Sequence, residues 1–466
     1  MCTPSPGTVR TLVVLAALAL IASACADTAD ETVVDQARAE DTAAADPTDT
    51  SDQATSDQAT TDQATTDQAT TDLSAVWILD EGETSAIVDA GSAVNVQDVA
   101  VEAVDGVEYL RVVATGLPDY TSTVDADQLE FLSSRPNADT DFDDGAPTVE
   151  VGDTVTWGAD IGYVNDQCAE GAGQGYWPPG PGCPTTQATE AYFPLSPTMA
   201  ADGEEAETGL GKLGLWVNGV SIYGWGDGMS YENGGVWQNL APSFEVYDLD
   251  VCDGHAANGD YHHHNDADCL ADRIGDTGDG HSPVYGIAAD GYPVYGPWVA
   301  EGVLARSSWS IRDYNDADSA TGCGEAGART CLMIDRLDPS AGTETASQEG
   351  PRTSDIVSTL SGNIIQAVPG VYFEDYYFDA SLDDGTLQAL DEHNGHDHDD
   401  LGYHYHVTLE ADADGHTTNV FPYFIGETFA GVLADNAVAQ AGGAGGPGAG
   451  GPGDGGPPGD GPPPGG

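Results

Sequence analysis

The stretch DEHNGHDHDDLGYHYHV, residues 391–407, sets Tyr403, His404, Tyr405 and His406 in alternation after a Gly395-His396 pair. Such a run reads as a β-strand, and residues two apart on a strand face the same way. His404 and His406 therefore share one face. A second stretch, VCDGHAANGDYHHHN at residues 251–265, repeats the arrangement. Gly254-His255 aligns with Gly395-His396, Cys252 with His393, and Tyr261-His262-His263-His264 with the tetrad. The interval from 255 to 262 is one residue shorter than that from 396 to 404.

Upstream of each copy lies another matched pair, GLWVNGVSIYG at 214–224 and GIAADGYPVYG at 286–296. Both place Asn-Gly or Asp-Gly at the same offset and close on Tyr-Gly, and such a dipeptide between apolar runs predicts a β-hairpin. A hairpin followed by a Gly-His loop and a Tyr-His-x-His strand, occurring twice, predicts two half-units, about 200–270 and 281–430, packed about an approximate two-fold axis. The Ser/Gly-rich segment 301–360 reads as an insertion in the second.

Working outward, Val96 to Ala103 alternates, Asp105-Gly106 is a hairpin signal, and Val107, Tyr109, Arg111 and Val113 alternate again. Few segments carry helical periodicity, and Gly, Pro, Asn and Asp punctuate short apolar runs. The fold class is mainly β: an internally duplicated β-rich domain with long loops over residues 73–437.

These residues resemble the YHYH domain family of bacterial exported proteins. The resemblance rests on Tyr403-His404-Tyr405-His406, on Cys252-Asp253-Gly254-His255 with Tyr261-His262-His263-His264, on His281-Ser282-Pro283 through DGYPVYGP, and on Phe421-Pro422-Tyr423. It covers about residues 95 to 430. It implies a fold neighbourhood rather than a reaction. The chain departs from the pattern at His263, where the second tyrosine of the tetrad would stand.

Two imidazoles on one strand face can reach one metal ion, and neutral nitrogen donors suit copper, zinc, nickel and iron. All eleven histidines lie between residues 255 and 416, most of them in the two motifs. The expected metal ligands are His262, His264, His404 and His406, assisted by His255 and His396, with copper or zinc as the ion. If the half-units pack tetrad to tetrad, four imidazoles converge on a shared site. Tyr261, His263, Tyr403, Tyr405, His393, Asp253 and Asp391 are expected to orient the ligands or pack around them; Glu392, Asp397 and Asp399 flank the same loops. Two other readings use the same residues: a histidine core satisfied by backbone groups, and metal-free acid-base catalysis. A calcium site is a separate possibility, because Asp139, Asp141, Asp143 and Glu150 fall at EF-hand loop spacings, although Asp144 replaces the required glycine and Pro147 intrudes.

The chain has 11 Lys plus Arg against 79 Asp plus Glu, a formal net charge of -68, and Lys212 is its one lysine. Nucleic acid and anionic membrane surfaces both require basic clusters, so neither is an expected partner. Acidity spread this evenly suits a salty medium or colloidal repulsion. Residues 11–24, TLVVLAALALIASA, have signal-peptide layout, and Ala22-Ser23-Ala24-Cys25 resembles a lipobox. Residues 1–25 are therefore read as a lipoprotein-type signal with Cys25 lipidated, giving an exported, lipid-anchored, cell-surface protein; an ordinary secreted protein is the alternative. Residues 26–72, which contain SDQAT SDQAT TDQAT TDQAT, read as a disordered tether, and the Gly/Pro-rich residues 438–466 as a disordered tail.

Six further cysteines in an exported chain predict three disulfides, and pairing by proximity in sequence joins Cys168 to Cys183, Cys252 to Cys269 and Cys323 to Cys331. HExxH, GxSxG and P-loop motifs are absent from the sequence. His281-Ser282 before Pro283 is read as a turn into the hairpin. An alternative function is an extracellular carbohydrate- or peptide-binding module built on Trp216, Trp225 and Trp237, with structural histidines; a wall or adhesion component is a third.

Overall fold

The computed structural model describes residues 72–438, apart from 86–87, 89–90, 166–167, 169–171, 181, 399–400 and 414. The lipobox with Cys25, the pentapeptide repeats, Asp399 and the Gly/Pro-rich tail lie outside the described residues. No helix among those described is long and apolar enough to cross a membrane.

Most of the triad histidines are positioned by strands. β1 (Val96–Val104) and β2 (Val107–Ala114) form the expected hairpin. Asp105 and Gly106 between them both have positive φ, 52° and 88°, the requirement of a two-residue turn that matches strand twist. β3 (Thr189–Pro194) joins the other edge of β2 to complete a three-stranded sheet.

The larger sheet contains β4 (Lys212–Trp216), β5 (Ser221–Tyr223), β6 (Gly254–Ala257), β7 (Asp260–His263), β8 (Val284–Ala288), β9 (Pro293–Tyr295), β10 (Gly395–His398) and β11 (Gly402–His406). Its order is β6-β7-β5-β4-β8-β9-β11-β10. In each half a hairpin accepts a parallel strand, β7 on β5 and β11 on β9, and that strand carries an antiparallel edge partner.

The halves meet at the antiparallel pair β4 and β8, where Gly286 faces Trp216, Ile287 faces Leu215 and Ala288 faces Gly214. The register is symmetric about Leu215 and Ile287, so the expected two-fold axis passes through that pair, perpendicular to the sheet. The glycines make this contact possible: a Cβ on Gly214 would collide with the Ile287 carbonyl oxygen, and one on Gly286 would lie 2.7 Å from that of Leu215. The hairpin turns match as well. Asn218 Oδ1 accepts from the Val220 N–H at 3.2 Å and Asp290 Oδ1 from the Tyr292 N–H at 3.1 Å, before and after glycines in the left-handed region.

Apolar groups cover both faces of the sheet. Leu215 and Ile287 pack with Val96, Leu110, Val112 and Phe193 of the three-stranded sheet. Trp216, Ile222, Val294 and Tyr405 join the main core on the opposite face. The crossovers differ in length: β5 reaches β6 over residues 224–253, whereas β9 reaches β10 over residues 296–394. The longer one holds several small hairpins and a buried ion pair between Arg329 and Asp375. All three expected disulfides are present, Cys168 to Cys183, Cys252 to Cys269 and Cys323 to Cys331.

Candidate metal centres

The glycine before each first histidine has a steric cause. Tyr261 and Tyr403 reach diagonally across the strand pair and lie over Gly254 and Gly395, where any Cβ would collide with the phenol oxygen. Each phenol then donates to a carboxylate, Tyr261 to Asp250 at 2.8 Å and Tyr403 to Asp391 at 2.9 Å. Those carboxylates also accept backbone N–H groups of their own turns, Cys252 and Gly254 in one copy, His393 and Gly395 in the other. The aspartate that matches Asp391 is therefore Asp250. Asp253 corresponds instead to Asn394, and both take positive φ.

This scaffold sets His255 opposite His262 and His396 opposite His404. Two residues on, His264 and His406 point the same way. The two triads, His255-His262-His264 and His396-His404-His406, each bring their ring nitrogens within 4.8 Å of one another. Leu215 pairs with Ser221 and Ser221 with His262, while Ile287 pairs with Pro293 and Val294 with Tyr405. Both triads accordingly flank the apolar centre on one face of the sheet. Five strand spacings separate β7 from β11, about 24 Å. Four imidazoles from the two tetrads thus do not meet, because the hairpins lie between them; the shared site expected from tetrad-to-tetrad packing is replaced by one site in each half.

In the first triad, His262 Nδ1 donates to the Asp260 carbonyl at 2.8 Å and His264 Nδ1 to the Gly224 carbonyl at 2.5 Å. In the second, His404 Nδ1 donates to Gly402 at 2.7 Å and His406 Nδ1 to Gly296 at 2.6 Å, the same positions of the repeat. A carbonyl only accepts, so Nδ1 carries the proton and a neutral ring presents a bare lone pair at Nε2. His262 Nε2 lies 3.0 Å from His264 Nε2 and 3.0 Å from His255 Nε2, and His396 Nε2 lies 3.2 Å from His404 Nε2. Burial keeps the rings neutral, pushing His262, His264 and His404 down to about 3 and His396 to about 4. Two such lone pairs 3 Å apart repel, and a cation between them reverses the sign.

Three groups near the triads are not among the expected ligands. Glu245 follows the one-turn helix α1 (Ala241–Phe244) and brings Oε2 to 3.2 Å from His264 Nε2 and 3.5 Å from His255 Nε2. Burial, with Asp227 and Asp248 nearby, pushes its carboxyl up to about 9. Beside the second triad stand His281 and His398, which form a further convergent set with His404. His281 is thus more than a turn: its Nδ1 donates to the Ser282 carbonyl at 2.9 Å and its buried Nε2 has no hydrogen-bond partner. His398 follows His396 by two residues on a strand, a signal the sequence did carry.

The remaining expected residues pack or brace. Tyr405 donates to Asp290 at 2.6 Å on the opposite face, and His263 Nε2 donates to the Cys252 carbonyl at 3.1 Å. His393 turns toward Thr428, with Nδ1 2.9 Å from Oγ1. The rings of His262, His264, His404 and His406 are oriented by backbone carbonyls rather than by Asp253 or Asp391. Tyr223 stacks on His262 with ring centroids 3.7 Å apart, and Tyr295 packs edge-on to His404 at 4.7 Å. Asp141, from the EF-hand-like spacing, is held by Arg135 at 2.9 Å. Trp216 and Trp237 are fully buried and Trp225 stacks on Phe373, so none offers the open platform a carbohydrate site requires. Two surface clefts, one of about 510 Å³ beside Arg336, His393 and Glu427, include no triad residue in their walls.

A two-fold duplicated β-sheet protein with a histidine triad in each half, buried in the first and largely buried in the second, is the class these observations define. Residues 190–414 carry the YHYH domain, matching the family model described as YHYH protein. That span begins in β3 and ends beyond the second triad. No curated protein and no solved structure matches the chain significantly.

Proposed function

We propose that this is an exported, lipid-anchored protein that binds two transition-metal ions, one at each histidine triad. The observation that carries the reading is the pair of Nε2 clusters in which two rings of each triad, His262 and His264 in one and His404 and His406 in the other, are locked by Nδ1–H bonds to backbone carbonyls. A purely structural histidine core would spend both ring nitrogens on hydrogen bonds; here the second nitrogens face one another. Three neutral imidazoles per site suit copper, zinc, nickel or iron. Three disulfides support folding in an oxidising compartment, in keeping with export, and Cys25 would supply the anchor.

Metal analysis of untagged protein tests the reading. Two equivalents of a transition metal are expected per chain, falling to one in His404→Gln/His406→Gln and to one in His262→Gln/His264→Gln. No bound copper, zinc, nickel or iron after exposure to each would sink it. For the anchor, Cys25→Ala is expected to release the protein from the membrane fraction.

A further inference from the structure

The repeat predicts equivalent sites, yet the groups that complete the triads differ. In the first half the nearest additional donor is a carboxylate oxygen, Glu245 Oε2, which has no hydrogen-bond partner. In the second half it is imidazole: the His281 ring lies 5.1 Å from that of His406 and 5.5 Å from that of His404, centroid to centroid, and the His398 ring 5.5 Å from that of His396. Access differs as well. His255, His262 and His264 are all buried, whereas His281, His396 and His398 are each partly exposed.

Donor type and access are the protein's two means of choosing a metal. Nitrogen donors alone, as in His396-His404-His406 and the His281-His398-His404 set that shares His404 with it, favour the copper(II) preference for square-planar and tetragonal fields. A carboxylate beside two imidazoles of a triad adds a harder oxygen donor that suits zinc, and a closed site retains its ion as structural sites do. We infer that the two half-units hold different metals: a retained zinc ion at His255, His262, His264 and Glu245, and an exchangeable copper ion at His396, His404 and His406 completed by His281 and His398. The inference rests on the reading of the triads as metal sites and deepens it by assigning Glu245, His281 and His398 as ligands.

The test supplies metal-free full-length protein with one equivalent each of copper(II) and zinc(II), followed by removal of loose metal and electron paramagnetic resonance. One copper and one zinc per chain are expected, with a single copper spectrum showing nitrogen-only coordination. His281→Gln and His398→Gln, both at partly exposed positions, are expected to alter that spectrum and leave zinc in place. Glu245→Gln is expected to leave the copper spectrum unchanged and to speed zinc loss to a chelator by about tenfold or more. A copper spectrum that responds to Glu245→Gln and not to His281→Gln would overturn the assignment, as would two ions of one metal sharing a single spectrum and one release rate; either result would leave the two-site reading standing. Absence of both metals would remove that reading itself.

Discussion

Occupying both triads should raise thermal stability by an amount that each half contributes separately. A ligand that binds only the folded chain stabilises it by RT ln(1 + [L]/Kd), about 2.7 kcal/mol per site at a free metal concentration 100 times Kd. Two independent sites then give about 5.4 kcal/mol. At about 2.1 cal/mol/K of unfolding entropy per residue, the folded segment 72–438 has about 0.8 kcal/mol/K, so 1 kcal/mol moves Tm by about 1.3 °C. The expected shift is about 7 °C for the unmodified chain and about 3 to 4 °C for His262→Gln or His404→Gln, each of which removes the central nitrogen of one triad. The assay is differential scanning calorimetry of metal-free protein with and without metal in high salt. A surface with a formal net charge of -68 attracts cations diffusely, and salt screens that attraction while leaving enclosed sites less affected. Magnesium serves as the control and should leave Tm unchanged. A shift that survives both substitutions together would place the bound metal elsewhere and refute the geometric argument.

Gly254→Ala would force the Tyr261 phenol off its bond to Asp250, and Gly395→Ala would do the same to Tyr403; each should cost about 1 to 3 kcal/mol in urea unfolding and lower metal content only in its own half. Arg329 and Asp375 form a bidentate pair with both side chains fully buried, so Arg329→Met leaves a carboxylate unpaired and should cost about 3 to 5 kcal/mol; a loss under 1 kcal/mol would refute this. Burial pushes Asp290 from 3.8 up to about 6. Since the folded chain then holds a proton that the unfolded chain has released, its contribution is full below pH 3.8 and is lost as pH rises to about 6. Relative to the unmodified chain, Asp290→Asn should therefore gain up to about 3 kcal/mol between pH 4 and 6, at about 1.4 kcal/mol per unit, and nothing more above; a difference constant across that range would contradict it.

The strands, hairpin turns, duplication and disulfide pairing were all legible because each has a local cause: alternation, an Asx-Gly dipeptide, or cysteines 8 to 17 residues apart. The strand order was not. Side-chain period tells which face a residue occupies, but says nothing about its neighbouring strand, and β7 joins β5 in parallel only through a crossover of more than 30 residues. Glu245 was hidden for a related reason. It is one of 79 acids, ten positions before His255, and a turn of helix rather than a motif carries it to the triad.

The departure at His263 bears on the equivalence of the two halves in a way the sequence could not show. His263 aligns with Tyr405, and both occupy the inner position of their tetrads, between the two triad histidines. Alternation turns that position to the opposite face, where His263 lies against Trp216 and Tyr120 and Tyr405 bonds to Asp290. Exchanging tyrosine for histidine there changes a core contact and leaves the clustered Nε2 nitrogens where they were. The locking carbonyls confirm the point, since Asp260 and Gly224 in one half hold the same positions as Gly402 and Gly296 in the other. The repeat thus preserves the triad face through backbone bonds that do not depend on side-chain identity. The halves diverge at His398, which stands on β10 where the first copy has Ala257 on β6, and where groups arrive from outside the repeat: Glu245 and His281 come from connecting segments, free to change without disturbing the strands.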